Sequence, residues 1–525
     1  MRVLRGPNIW AKVPVLVADV PTGAGGRLAR LARQFQNDAG SPVSFAQVSG
    51  GTAAVEFEDE ELGRRCFEAA LRGEETLPST IKEFADDILL GANTRALYDA
   101  ARRRGIPVRR LDPGSLLQLG HGFRQRRLCG AFTDRTASIG EDIGWTKPLA
   151  KEILRAVGVP VPEGRLVTDA EDAWRATGEF GGFVVVKPES ANHGRSVFIG
   201  LRTREEIAAA FESASTAAEN PNVLVERCIT GSEHRVLVVD GSIAAATRGD
   251  PLYVTGDGVR TIQEFMDEIN CDPRRGSQAW CPLSPVGPDE ETNATLARQG
   301  FTVDAVPDEG VQVLIQRNGN SSIDVTDEIH PENHEIFAVA ARAIGLDVAG
   351  IDCVAEDLSR PLREQGGAIL EVNAMPGLMM HLHPAVGKPR AVDEIIVASI
   401  FPEGNDGRIP IIAVCSGSED AAEEIAGLLQ ARGIYVGLTS ESGMFAGGVQ
   451  IRRGNCATSA CAADLLMHPL VQVAVCETPD SAIVEEGLAF DRCNVIVGEP
   501  PLVLRESLVD GGLLTASVAE AVAFL

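Results

Sequence analysis

Lysine is what this chain has least of among its charges. Only six of 48 basic residues are Lys (Lys12, Lys82, Lys147, Lys151, Lys187 and Lys388), the rest being Arg. In a chain that builds its basic surface from Arg, each Lys marks a candidate position for a compact, point-like ammonium. Positive charge is short altogether. Against 74 acidic residues the formal charge is −26 and the pI is near 4.8. Neither nucleic acid nor an anionic membrane surface gains by approaching such a protein, so both are set aside as partners. Any anionic substrate must then be held by local cations. Long apolar runs are missing too: none approaches the ~18 residues of a membrane span, and Met1-Arg-Val-Leu-Arg-Gly-Pro-Asn-Ile-Trp10 lacks the apolar stretch of a signal peptide. The eleven Cys form no C-x-x-C pair and no metal-like Cys/His spacing, so they read as structural thiols in a reducing compartment. The expectation is a cytoplasmic protein.

What is there is ample apolar material, 44% of 525 residues, enough for about three domains at one per ~150 residues. Strand and helix patterns alternate, which makes the fold class α/β and multidomain. The most informative stretch is Glu371-Val-Asn-Ala-Met-Pro-Gly377 together with Gly350-Ile-Asp352. Ala368 to Asn373 reads as a strand, which puts Glu371 and Asn373 on one face. Val348 to Val354 reads as a second strand, and the turn-rich segment between them suits a hairpin that brings Asp352 alongside. Two carboxylates and an amide oxygen on rigid strands suit Mg²⁺, which takes its remaining ligands from water and substrate phosphates. Taken alone, E-x-N reads more readily as a solvated acidic edge beside a buried strand; the rest of the chain is what shifts the reading.

Other segments point the same way. Lys147 to Gly158 is an amphipathic helix ending on Gly, and Gly182 to Lys187 is a buried strand ending in a lysine. Glu189-Ser-Ala-Asn192-His193-Gly194-Arg195-Ser196 follows as a small polar loop. Lys187 and this loop suit triphosphate oxygens through point charge and backbone N–H groups. Backbone groups after Glu226 suit an adenine edge, and Glu233 suits ribose hydroxyls. His330-Pro331 opens a helix with Pro in its first turn, stopped by Gly345. Upstream, residues 1–140 read as an α/β unit: strand 14–19, helix 26–36, strand 53–57, a helix capped at Asn93-Thr94, and strand 106–111. His121, Arg124, Arg126 and Arg127 there suit either an anionic substrate or polymer, or a solvated loop with ion pairs.

These motifs together resemble the cyanophycin synthetase family. The likeness rests on Lys147, Lys187-Pro, Asn192-His-Gly-Arg195, Val225-Glu-Arg, Gly231-Ser-Glu-His-Arg235, Thr255-Gly-Asp-Gly258, Asp272-Pro-Arg-Arg-Gly276, Ile329-His-Pro-Glu-Asn333, Gly350-Ile-Asp352 and Glu371 to Gly377. It also includes Leu4-Arg-Gly-Pro-Asn-Ile-Trp10, Gln118-Leu-Gly-His-Gly122 and Thr133-Asp-Arg-Thr136, and so covers essentially the whole chain. It implies an N-terminal domain over 1–140, an ATP-grasp ligase domain over 141–403 and, after the linker Gly404-Asn-Asp-Gly407, a Mur-ligase-like nucleotide-fold domain over 408–525. The resemblance places Lys147, Lys187, Asn192 and Gly194 at the ATP phosphates, and Glu226 and Glu233 at adenine and ribose. It places Asp352, Glu371 and Asn373 on Mg²⁺, with His193, Arg195, Arg235 and Arg248 near the γ-phosphate and acyl phosphate. Phosphoryl transfer of that kind needs positioning and charge neutralisation more than covalent help.

Three departures from the family pattern matter. Ser196 stands where the family's small loop has a final Gly. Residues Gln316 to Ser322 replace a longer S-T-G-G loop. In the third domain the family's phosphate loop G-T-N-G-K-T is Ser416-Gly-Ser-Glu419-Asp420-Ala421, with no lysine anywhere after Lys388. Two carboxylates where phosphates would sit repel a triphosphate. The expectation is therefore a truncated relative with one working centre. It would join preformed β-aspartyl dipeptides, or another amino acid or amine, into a growing polymer as a homo-oligomer. A non-catalytic regulatory subunit of a full synthetase is the alternative of a different class.

Overall fold

The computed structural model describes the chain except residues 22, 190–196, 217–221, 277–282 and 416–419, and gives the backbone alone at 290, 291 and 317–321. Asn192, His193, Gly194, Arg195 and the Ser416–Glu419 segment lie outside the described residues. The chain divides into two compact units that interleave in sequence. The first gathers Met1–Leu90, Arg104–Arg126 and Gly404–Leu525; the second gathers Gly91–Arg103 and Arg127–Glu403. This differs from a division into consecutive segments.

In the first unit, the short apolar runs of Val15–Asp19 and Thr52–Glu56 pair antiparallel in a four-stranded sheet. The stripe of Gly25–Asp38, Ala29, Ala32 and Phe35, closes its core. The 404–525 segment builds a seven-stranded sheet. Its apolar strands Val436–Ser440, Val473–Glu477, Ile411–Val414, Cys493–Val497 and Leu508–Thr515 run parallel in that spatial order. Two apolar clusters pack against it, and continuous hydrophobic runs are what a parallel sheet buried on both faces requires. The hairpin Gly443–Ala446/Val449–Arg453 adds an antiparallel edge that the sequence reading does not anticipate. The motif at residues 4–10 ties the unit together. Arg5 N–H donates to the Glu486 carbonyl at 2.6 Å and Leu488 N–H to the Pro7 carbonyl at 2.8 Å. Asn8 makes four local hydrogen bonds. Gly6, at φ +61°, sits where a Cβ would meet the Leu488 carbonyl oxygen at 2.3 Å.

The second unit holds two antiparallel sheets. The smaller orders Phe198–Leu201, Val184–Pro188, Val223–Arg227 and Gly164–Val167. The larger orders Gln312–Asp324, Ser242–Thr255, Ser232–Val239, Val348–Ala355 and Ala368–Asn373. One face of the larger sheet is covered by the helix Pro331–Ile344, whose Phe337, Ala340, Ala341 and Ile344 enter the main core. Pro331 suits the first turn, where its missing N–H has no partner to lose, and Gly345 ends the helix at φ 89°. The helix Ala92–Arg103 also belongs here, packed on Val392–Ile400. Its Asn93 is not a cap: its side-chain oxygen accepts from Leu378 N–H at 3.0 Å, just past the Glu371 strand. Among the described residues no helix is long and apolar enough to cross a membrane. The ten cysteines described are free thiols, most of them buried.

Candidate active site

Strand register builds the acidic part of the site. Arg235, Asp352 and Glu371 are direct neighbours in one row across three strands, and directly opposed residues share a face. Arg235 Nε lies 2.6 Å from Asp352 Oδ1. Asn373, two residues beyond Glu371 and therefore on the same face, donates from Nδ2 to Glu371 at 2.9 Å and Asp352 at 3.2 Å. Gly350 is required in this row, because a Cβ there would lie 2.9 Å from Arg235 Nη1 and 2.7 Å from Pro376 Cβ. The turn that follows is strained: Met375 sits at φ 47° immediately before Pro376, a conformation that costs of order 1–3 kcal/mol and clusters at functional sites.

The basic part comes from a helix and the smaller sheet. Lys147 and Lys151 are one turn apart on Lys147–Ala156, so they share a face. Lys147 Nζ is 3.7 Å from Glu371 Oε2. Lys187 Nζ is 2.8 Å from Glu226 Oε2, and Lys151 pairs with the other oxygen of the same carboxylate. Glu226 opposes Gly164 in register, and a Cβ on Gly164 would meet Glu226 Cγ at 2.6 Å, so this glycine makes the room. Lys151 and Glu226 are both at least 95% buried.

Electrostatics splits each cluster. Burial lifts Asp352 well above the usual carboxylate range against the pull of Arg235, with a hydrogen bond to Glu371 adding to the rise. Burial works against Glu371 too, but hydrogen bonds from Asp352 and Asn373 and the nearby Lys147 outweigh it and hold Glu371 at about 2. One carboxylate is thus biased toward holding a proton and its neighbour toward releasing it, a pairing that a bound cation would relieve by stabilising both charges. Among the described residues no group of three or more His, Cys, Asp or Glu side chains is placed to hold a metal. The residues that could hold a divalent cation such as Mg²⁺ are Asp352 and Glu371, with Asn373 beside them presenting its Nδ2 to the carboxylates in this structure. Burial and the neighbouring Lys187 lower Lys151 to about 7. Burial opposes charge on Lys187 as well, but Glu226 overrides it and holds Lys187 up, while the two lysines outweigh burial and hold Glu226 down.

Of the residues singled out in the sequence, Lys147, Lys187, Glu226, Arg235, Asp352, Glu371 and Asn373 are thus brought together. Glu233 is on the Arg235 face and acts electrostatically on Asp352. Arg248 is not in the cluster. It opposes His234, not Arg235, so it faces the other side of the sheet, where it pairs with Asp250 at 2.8 Å. Lys151 and Asn93 are additions. The i, i+4 spacing of the two rare lysines was the available signal for Lys151; Asn93 carried none.

In the first unit, Asp420 adopts φ 70° at the start of Ala421–Ala431 without capping it. Glu423 accepts from the Ser442 hydroxyl at 3.0 Å and Glu477 from Glu441 N–H at 2.9 Å. Glu423 and Glu477 thus each accept a hydrogen bond from an uncharged group.

Residues 146–240 match the family described as carbamoyl-phosphate synthase L chain, ATP binding domain. With the antiparallel sheets and the lysine and carboxylate clusters, this defines the second unit as an ATP-grasp region. The chain is 36% identical over 493 residues to cyanophycin synthetase of Trichormus variabilis, covering 89% of this chain and 54% of that protein. It is 37% identical over 462 residues to the Synechocystis sp. enzyme, covering 84% and 53%. The glutathione biosynthesis bifunctional protein GshAB of Mannheimia succiniciproducens is 32% identical over 325 residues, 59% of this chain and 42% of that protein. The chain is a homologue of the cyanophycin synthetases, and it spans about half the length of the relatives of that name.

Proposed function

We propose that the chain is an ATP-dependent carboxylate–amine ligase, working in the cytoplasm, that polymerises preformed β-aspartyl dipeptides into cyanophycin or a cyanophycin-like polymer. The observation that carries the reading is the adjacency of Lys147 to Glu371. It joins the buried lysine–Glu226 group to the Arg235–Asp352–Glu371–Asn373 row, so cations for a triphosphate and oxygen ligands for its metal converge on one place. Lys147 and Lys187 would neutralise phosphate oxygens, and Glu233 would take ribose hydroxyls. Asp352, Glu371 and Asn373 would hold Mg²⁺, which neutralises charge on the transferring phosphoryl group. Arg235, already aimed along the row, would stabilise the oxyanion that develops when an amine attacks the acyl phosphate.

The dipeptide substrate follows from the other unit. Phosphorylating a side-chain carboxylate there would need a triphosphate held by cations, and Asp420 with the nearby glutamates supplies the opposite sign. The side-chain amide must then arrive already made. The GshAB similarity supports a second reading, in which another amino acid or amine is joined. A regulatory subunit fits less well, since the buried charges of the ATP-grasp region are costly to keep without use. The deciding assay is ADP release with β-aspartyl-arginine, other β-aspartyl dipeptides, free Asp plus Arg, and other amines. ATP turnover that none of these stimulates would remove the ligase reading.

A further inference from the structure

Among the described residues the strand Ala368–Asn373 is the outer strand of its sheet and pairs with Val348–Ala355 alone. Its last register pair is Asn373 with Gly350, and a glycine gives the strand end no side chain to pack on. The support lies in the turn beyond. Pro376 sits over Gly350 beside the Arg235 guanidinium, since a Cβ built on Gly350 would be 2.7 Å from Pro376 Cβ and 2.9 Å from Arg235 Nη1. The pyrrolidine ring and the guanidinium thus fill one space side by side. Met375, the strained residue before the proline, lays its sulfur on Gly130, where a Cβ would come within 2.8 Å of Sδ.

A non-glycine residue at positive φ persists only where its surroundings over-determine it. Here one part of those surroundings is a single side chain from far upstream. Asn93 Oδ1 accepts from Leu378 N–H at 3.0 Å, and Asn93 Nδ2 reaches the Pro376 carbonyl at 3.5 Å, so one amide brackets Gly377 from both sides. Leu378 is fully buried, and Asn93 supplies the acceptor that its N–H needs. The amide is itself firmly placed. Leu97, Ala100 and Ala101 of the helix Ala92–Arg103 are buried, the helix packs on Val392–Ile400, and Arg103 at its far end pairs with Asp393 at 2.7 Å.

We propose that Asn93 is a positioning residue for the site. Its amide clamps the Pro376–Leu378 turn, which keeps Pro376 over Gly350 and so fixes both the Arg235 guanidinium and the strand end that carries Glu371 and Asn373. The catalytic consequence rests on the ligase reading. Asn93 acts through the turn and touches no reacting atom. In that reading the ATP phosphates are held by Lys147 and Lys187 on other elements, so the clamp bears on turnover and on the metal, not on the nucleotide.

The test pairs Asn93→Ala, which removes the clamp, with Asn93→Asp, which keeps an acceptor for Leu378 N–H and loses only the longer contact. Ligation is assayed with ATP, Mg²⁺, primer and β-aspartyl-arginine well below every variant's melting temperature, so that loss of folded protein does not enter. Asn93→Ala is expected to lower kcat at least tenfold with the KM for ATP within twofold of wild type, and Asn93→Asp to recover most of the loss. Independently of turnover, Mn²⁺ is titrated by electron paramagnetic resonance in the presence of a non-hydrolysable ATP analogue. Asn93→Ala should hold Mn²⁺ at least threefold more weakly, and Asn93→Asp should hold it nearly as well as wild type. A kcat within twofold of wild type overturns the proposal. So does an unchanged Mn²⁺ affinity, or a loss as large in Asn93→Asp as in Asn93→Ala, which would mark a residue that only fills space. If Asn93→Ala does not fold, Asn93→Ser, too short to reach both groups, serves with the same two readouts. A wild-type chain that binds Mn²⁺ yet turns over no ATP with any amine would sink the ligase reading, and the Mn²⁺ comparison would still decide the clamp.

Discussion

Lys151 and Lys187 share one carboxylate, and that sharing has a consequence for nucleotide binding. If Lys187 turns toward a phosphate, Lys151 keeps Glu226 compensated, so the move leaves no bare buried anion. Lys151→Met should therefore raise the KM for ATP roughly tenfold, about 1.4 kcal/mol. Lys187 still pairs with Glu226 in the free enzyme, so the melting temperature should move by only a few degrees. An unchanged ATP KM would show Lys151 to be structural. Glu371→Gln keeps the shape and removes the charge; ligation should fall at least a hundredfold while circular dichroism and melting are retained. Near-normal turnover in that variant would remove the metal assignment. The sequence made Glu371 and Asn373 legible because i, i+2 on a strand fixes a common face. It did not reveal the Arg248 side, because a lone strand pattern does not say which residue of the next strand stands opposite, and one step of register turns a side chain over.

At the scale of elements, the row Arg235–Asp352–Glu371 depends on a bare backbone at Gly350. Gly350→Ala should leave the helices intact but displace Arg235 or Pro376. The expected cost is about 1–3 kcal/mol of stability and a fall in kcat larger than any change in the KM for ATP. A variant with normal kcat would show that the row tolerates rearrangement. The sheet also carries a pH liability on its other face. His234 is buried, which lowers its pKa to about 4 from an ordinary 6.5, with Arg248 adding to the drop. The unfolded chain takes up that proton as pH falls through 6.5 while the folded chain does not, so stability is lost between pH 6.5 and 4, by on the order of 3 kcal/mol. Denaturant unfolding across that window should steepen with acid in the wild type and flatten in His234→Gln. Most elements were legible from apolar period and Gly or Pro punctuation. The edge strand Val449–Arg453 was not, because all five of its residues are exposed and no inside–outside alternation marks it.

For the whole molecule, purified chain given Asp, Arg, ATP and primer should incorporate no arginine, whereas β-aspartyl-arginine should support polymer growth. Robust incorporation of free arginine would overturn both the inactive-carboxylate reading of the 408–525 segment and the dipeptide hypothesis. Domain order was the least legible property. Sequence segments suggested three successive domains, but which distant segments pack together is decided by side-chain complementarity that local pattern does not encode.

The path of the chain passes between the two compact units four times, at 90/91, 103/104, 126/127 and 403/404. The Arg5–Glu486 and Pro7–Leu488 hydrogen bonds are therefore made by residues nearly the full chain apart. On a ribosome adding roughly 5–20 residues per second, the second unit has all its parts once residue 403 has emerged. The first completes its opening four-stranded sheet and that sheet's apolar core within residues 1–90, but the partners of Arg5 and Pro7 arrive only with residues 486–488. Synthesis is thus expected to deliver a folded ATP-grasp region and the 1–90 sheet early and to leave the Arg5 and Pro7 contacts open until residues 486–488 are made, so protection of residues 4–10 should lag behind that of the sheet they lead into.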